Sequence, residues 1–220
     1  MNTTLALTKE ETQILADNIT EMNKGKFDHK AYTKRVRELF KLKSVPITER
    51  RLCFLAGFIE GEGSLSIGAK KNNAHEFGLE LDPVFNLTQR VEGISNLYLA
   101  LEVFQTGRIR LAPPPEGGES GSNATLVFVI EPRKSLEEKV CPFFDKYIIK
   151  YNLSSNSKQS RYLKFKEMLG LFNTNAHLDR DRFIKELLPI WDSMRIQKST
   201  KQTFKDLEEA QEFVRNFQKE

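Results

Sequence analysis

The chain has 220 residues, 39% hydrophobic and 29% charged, with a formal net charge of +4 at pH 7. That length suits one large core or a core with extensions, and no apolar run approaches the roughly 20 residues of a membrane span. The two cysteines, Cys53 and Cys141, fall in apolar helical contexts and read as buried thiols of a reducing compartment, which excludes a disulfide framework.

The opening residues, MNTTLALTKEETQ, lack the basic start and apolar stretch of a signal peptide and the Arg-rich, acid-poor character of a transit peptide. If the protein works in an organelle, the expectation is that it is encoded there. Thr8 and Glu11 form a capping box that opens a helix through Ile14, Leu15, Ile19 and Met22. Asp28 caps a second, basic helix with Tyr32, Val36, Leu39 and Phe40 on one face. KSVPIT (43–48) is a linker broken by Pro46, and Thr48 starts a helix through RRLCFLAGFI. The period then changes. Ser64–Gly68 alternates, predicting a strand with Leu65 and Ile67 inward. FGLELDPVFNLTQ (77–89) alternates too, with Pro83 predicting a bulge or bend. VEGISNLYLALEVFQT (91–106) reads as a helix stopped by Gly107. Strands at Arg108–Leu111 and Ala124–Ile130 follow, joined by the loop APPPEGGESGS (112–122). Ser135 and Glu138 predict another capping box, with further helices near 158–172, 179–196 and 206–218.

Four strands with helices on one face leave the other sheet face uncovered. Ser64, Ser66, Lys70, Glu80, Asp82, Asn86, Arg108, Arg110 and Thr125 gather there, as solvated surface or as a reading surface. Residues 26–51 carry nine Lys/Arg against three acids, and 158–166 carry Lys158, Arg161, Lys164 and Lys166 with none. Such segregation fits a polyanion partner or solvated helix faces. His29, His75 and His177 have no ligand spacing, so no zinc site is assigned.

The stretch LAGFIEGEG (55–63) is costly for a helix. Gly57 and Gly61 each cost about 1 kcal/mol relative to Ala in a helix interior, and Glu60 and Glu62 crowd the end where the dipole disfavours negative charge. With Ala56 the glycines make a small-residue stripe that lets two helix backbones approach, flanked by Leu52, Leu55, Phe58 and Ile59. The partner is either the same helix of a second copy across a two-fold axis or another helix of this chain. Two such tips pressed together gather carboxylates and unpaired carbonyls. These are hard ligands suited to Mg²⁺ completed by a substrate phosphate, which points to metal-assisted phosphodiester hydrolysis.

LAGFIEGEG followed by a strand resembles the signature of the LAGLIDADG homing endonucleases. FGLELDPVFNLTQ, YLALEVFQTGRIR, GSNATLVFVIEPRKSLEEKV and LPIWDSMR resemble its single-motif branch encoded in chloroplast ribosomal-RNA introns. The resemblance implies an α+β fold with an αββαββα core and a saddle-shaped antiparallel sheet. It divides the chain into a helical extension (1–47), the core (48–150) and C-terminal helices completing it (151–220). It implies a homodimer acting on double-stranded DNA, with no membrane partner. The expected cofactor is Mg²⁺, whose site Mn²⁺ or Ca²⁺ can occupy. The expected reaction is a double-strand break with 3′ overhangs in a long pseudo-palindromic ribosomal-RNA gene site, promoting intron homing in a chloroplast or, second, a mitochondrion.

By position, Glu62 matches the metal-binding catalytic acid and Gly61 the residue whose carbonyl touches metal. Gln89 matches the residue organising the attacking water, Arg110 a basic residue near the scissile phosphate, and Glu60 a more structural acid. Both acids are Glu where the motif has Asp, one methylene longer but still a hard ligand. No lysine clearly matches the family's catalytic lysine, and Arg110 takes that role. The DNA-binding set is Ser66, Lys70, Lys71, Glu80, Asp82, Asn86, Arg90, Arg108, Arg110, Asn123 and Thr125. Within it arginine suits guanine or phosphate, Asn86 adenine, and Glu80 or Asp82 cytosine N4. The dimer interface is Leu52, Leu55, Ala56, Gly57, Phe58 and Gly61. An RNA-splicing maturase and a non-catalytic DNA-binding regulator on the same fold are the alternatives.

Overall fold

A computed structural model describes residues 7–8, 11, 13, 15, 27–44, 46–112, 125–151, 157–195 and 203–219. Helices α1 (His29–Leu39) and α2 (Glu49–Glu62) lead into strands β1 (Gly63–Lys71) and β2 (Leu79–Arg90). Helix α3 (Ile94–Phe104) and strands β3 (Arg108–Leu111) and β4 (Thr125–Ile130) follow. Helical runs α4 (133–151), α5 (Ser157–Asn173), α6 (180–193) and α7 (Leu207–Asn216) complete the order. The strands form one sheet in the order β1-β2-β4-β3, with β2–β4 and β3–β4 antiparallel. This is the α+β architecture expected.

Of the three side-chain caps the sequence predicts here, two form, and Asp206 adds one it did not name. Thr8 Oγ1 accepts from Glu11 N at 3.1 Å, and Glu11 Oε2 accepts from Thr8 N at 2.7 Å. Leu15 is buried, while Ile14, Ile19 and Met22 lie outside the described residues. Asp28 Oδ1 accepts from Lys30 N and Ala31 N at 2.9 and 3.2 Å, and Asp206 accepts from Glu209 N. Ser135 is the exception. Its φ/ψ of −69°/−35° places it inside α4, which begins at Arg133 after Pro132, so it cannot act as a cap.

Pro83 produces no break, for β2 runs unbroken with perfect burial alternation through Leu87. The β4 ladder begins only at Phe85, so the missing N–H of Pro83 deprives β4 of nothing. Helix α3 stops earlier than expected. Gln105, at φ 47°, takes the left-handed closing position, preceded at the other end by a short 3-10 turn, Val91–Gly93.

The chain divides into two compact units, and β2 contributes a half to each. Residues 1–64, 85–130 and 142–150 form the first. Its core packs α1, α2 and α3 on the inner sheet face through Val36, Leu55, Ile59, Leu97, Leu101, Ile109 and Leu126. Phe85, Phe104, Phe128, Phe143 and Phe144 pack around one another, with Phe104–Phe143 centroids 5.2 Å apart. Tyr32 of α1 reaches the edge strand β3, where its hydroxyl accepts from Ile109 N at 3.0 Å.

Residues 65–84, 131–141 and 151–220 form the second unit. Leu65, Ile67, Leu79 and Leu81 of the strands are buried, as are Tyr162, Phe165, Phe183, Leu187 and Trp191 of the helices. Tyr162 donates to Cys141 O at 3.0 Å. No helix among the described residues is long and apolar enough to cross a membrane.

Candidate active site and nucleic-acid interface

Helix α2 passes into β1 with no intervening residue. Gly63 is extended (φ −76°, ψ 142°), so the glycine is required by space: a Cβ there would lie 2.5 Å from Ile59 O. Leu55, Ala56 and Ile59 sink into the first unit, at 0, 5 and 0% exposure. The opposite face turns out. Cys53, Phe54, Gly57 and Gly61 are exposed, Leu52 and Phe58 half-buried, and among the described residues a Cβ at Gly57 or Gly61 would meet nothing within 4 Å. Leu55 and Ala56, expected at a dimer interface, therefore belong to the chain's own core. Phe54, 55% exposed and not singled out by the sequence pattern, stands on that outward face. Its spacing of three before Gly57 puts it on the same helix face as the glycines.

The tip of α2 carries Glu60, Gly61 and Glu62 with no basic residue in its last turn. Gly61 and Glu62 are exposed, and the Glu62 carboxylate engages no side chain among the described residues. The last carbonyls of a helix lack intrahelical donors, so the tip presents a carboxylate and a backbone carbonyl to the outside. Both are hard oxygen donors fitting a partly hydrated divalent cation. Among the described residues no group of three or more His, Cys, Asp or Glu could hold a metal. The chain by itself thus offers a partial ligand set.

Sheet register positions the rest. Asn86, Val129 and Arg108 form one cross-strand row, Thr88, Val127 and Arg110 the next, and Arg90 with Thr125 a third. Direct cross-strand partners share a face, and these rows lie on the face away from the helices. Arg108 and Arg110 are half-buried beside the buried Val129 and Val127. Asn86 Oδ1 and Arg110 Nε are shielded from water yet have no hydrogen-bond partner among the described residues, polar atoms that a ligand on this face would satisfy.

Gln89 falls between those rows, opposite Leu126 and on the helix-side face, so the register does not bring it beside Arg110. Its amide folds over the 3-10 turn, where a Cβ at Gly93 would lie 2.4 Å from its Oε1. Asn123 lies outside the described residues.

In the second unit, Lys70 donates to Asp82 Oδ2 at 2.7 Å, and Glu80 accepts from Asn72 Nδ2 at 2.9 Å with His75 at 3.5 Å. The hydrogen bond from Lys70 to Asp82 raises the lysine's pKa. The Asn72 bond, ahead of the fields of His75 and Lys70, lowers that of Glu80. Exposed pairs add little stability; their effect is to fix where these groups point. Ser66 lies half-buried on the same side of β1 as Lys70. Lys71 points to the other side, over the rings of Phe204 and Phe213 at 5.1 and 5.0 Å. Arg161, from the basic stretch 158–166, donates to Leu65 O and Met194 O. Burial lowers its pKa.

Comparison with known proteins identifies the family and the fold. Residues 55–169 match the LAGLIDADG endonuclease family model. The chain is 49% identical over 185 residues to the DNA endonuclease I-CeuI of Chlamydomonas moewusii, across 84% of this chain and 81% of that protein. It superposes on the structure of I-CeuI complexed with DNA with a TM-score of 0.85 at 43% identity, covering 97% of this chain and 99% of that one. The structure of I-SmaMI bound to uncleaved DNA in the presence of calcium ions matches with a TM-score of 0.57 at 26% identity, over 68% of this chain and 46% of that one. The chain belongs to the LAGLIDADG endonuclease family.

Proposed function

We propose that the protein is a homodimeric, Mg²⁺-dependent, site-specific DNA endonuclease that makes double-strand breaks. The observation that carries this reading is the exposed tip of α2, with Gly61 and Glu62 facing out beside a glycine stripe that nothing among the described residues covers. Two glycines in open space weaken a helix for no internal gain; a second copy of the same helix supplies the reason. I-SmaMI, of which this chain spans 46%, is long enough to hold two such halves.

Glu62 Oε and the Gly61 carbonyl of each protomer would hold the cation, which in such sites neutralises phosphate charge and acidifies bound water. Mn²⁺ and Ca²⁺, equally oxygen-seeking, fit the same donors. Gln89, its amide held over the turn at Gly93, would offer a donor and an acceptor to orient the attacking water. Arg110 offers a fork of donors that fits a phosphate's paired oxygens. The outward rows of the first unit (Asn86, Arg108, Arg110, Arg90, Thr125) and the Ser66, Lys70, Asp82 and Glu80 group of the second would read base edges in the major groove. Lys71, turned away, is left out. The basic surface of 26–51 makes affinity fall with salt.

The finer reading is a long pseudo-palindromic site in a ribosomal-RNA gene, cut with 3′ overhangs and serving intron homing in a chloroplast. It rests on the likeness to I-CeuI from Chlamydomonas moewusii. The test is Glu62→Gln. Cleavage of target plasmid should fall on the order of 10³-fold while gel-shift affinity for the duplex holds. A variant that linearises plasmid at the parental rate overturns the assignment.

A further inference from the structure

The turn between β1 and β2 is held by a separate piece of chain. Asn72 N donates to Gly78 O at 2.8 Å, and Gly78 N to His75 O at 3.1 Å, closing a turn over 72–78. On its outward side stand Lys70, Asp82, Asn72 and Glu80. Against its other side lies the C-terminal segment 203–219, also of the second unit.

Four contacts tie the two together. Thr203 Oγ1 donates to Ala69 O at 2.7 Å on edge strand β1. The Lys71 ammonium sits over Phe204 and Phe213, beside a cavity of about 460 Å³ also lined by Glu209 and Glu212. The Phe217 ring covers Gly78, where a Cβ would lie 2.3 Å from it and where φ is +67°. Lys219 pairs with Glu76 at 3.0 Å. The segment is itself anchored. Arg195 donates to Phe204 O and Lys205 O at 3.0 Å, and Arg180 donates to Arg215 O and Phe217 O at 3.0 and 2.9 Å.

We infer that this C-terminal segment is a splint that sets the aim of the β1–β2 turn, and that Lys71 is its positioning residue. Successive residues of a strand face opposite ways, so Lys70 presents its ammonium to a ligand while Lys71 fixes the backbone that carries it. An ammonium between two aromatic faces is attracted to both, and alkyl replacements of the same length lose that attraction. The inference rests on the proposal that the outward face reads DNA.

The experiment profiles cleavage of a library of singly substituted target duplexes by the full-length protein and its Lys70→Ala, Lys71→Met and Lys71→Arg variants. Positions where Lys70→Ala changes base preference define what the turn reads. At those positions Lys71→Met should lower discrimination by about tenfold. Its kcat on the parent site should stay within about twofold, and Lys71→Arg, which keeps the cation over the rings, should restore discrimination. If Lys71→Met keeps parental discrimination, or loses it equally at every position, the splint is overturned. If Lys70→Ala changes no base preference, the reading surface itself is overturned.

Discussion

Gly57 and Gly61 face open space, whereas a Cβ at Gly93 or Gly107 would lie 2.4 Å from Gln89 Oε1 or 2.6 Å from Val129 O. The first pair weakens a helix that has no internal need of it. The second is imposed by the chain's own atoms, and Gly107 also requires φ +84°. One residue type thus marks two different demands: a surface kept flat for something outside the chain, and a backbone or side chain kept in place within it. Sequence alone does not separate them.

Filling the open pair is the strongest way to break this contrast. Gly57→Leu with Gly61→Leu should leave a folded chain of single-protomer mass by sedimentation, with cleavage reduced at least about 100-fold because the paired tips no longer meet. Cys53, exposed on the same face, should then react freely with a thiol reagent while remaining shielded in the parent. An active dimer would remove the outside demand. Gly107→Ala tests the inside demand, and its urea midpoint should drop by the equivalent of about 2–3 kcal/mol, from left-handed strain and crowding against backbone. Gly93→Ala lies between the two. The chain stays folded, the Gln89 amide is pushed from its place, and cleavage should fall about tenfold with gel-shift affinity unchanged. An unaltered rate would show that Gln89 has no positional role.

Periodicity made most of the fold legible. Leu65 and Ile67 face inward as their alternation demands, and β3 has the limits expected of RIRL. Caps were legible where an Asp or Thr stood free of the helix, and misleading at Ser135, because Pro132 had already begun α4. Pro83 misled because a strand's tolerance of proline depends on which partner lies beside it, and register is a tertiary fact. The site was legible as residue types but not as directions. Leu55 lies inward while Phe54 lies outward, and Lys71 and Arg161 are held by rings and carbonyls that come from distant sequence.

The Tyr32 hydroxyl on Ile109 gives the first helix a duty apart from catalysis. Strand β3 ends the sheet, and an uncovered terminal strand offers its amides to any passing extended peptide. With an aromatic hydroxyl seated on that amide, one of the strand's outward donors is already taken, which hinders pairing with another molecule. Shortened versions of the protein that begin after α1 would therefore be prone to clump while keeping every residue of the cutting machinery.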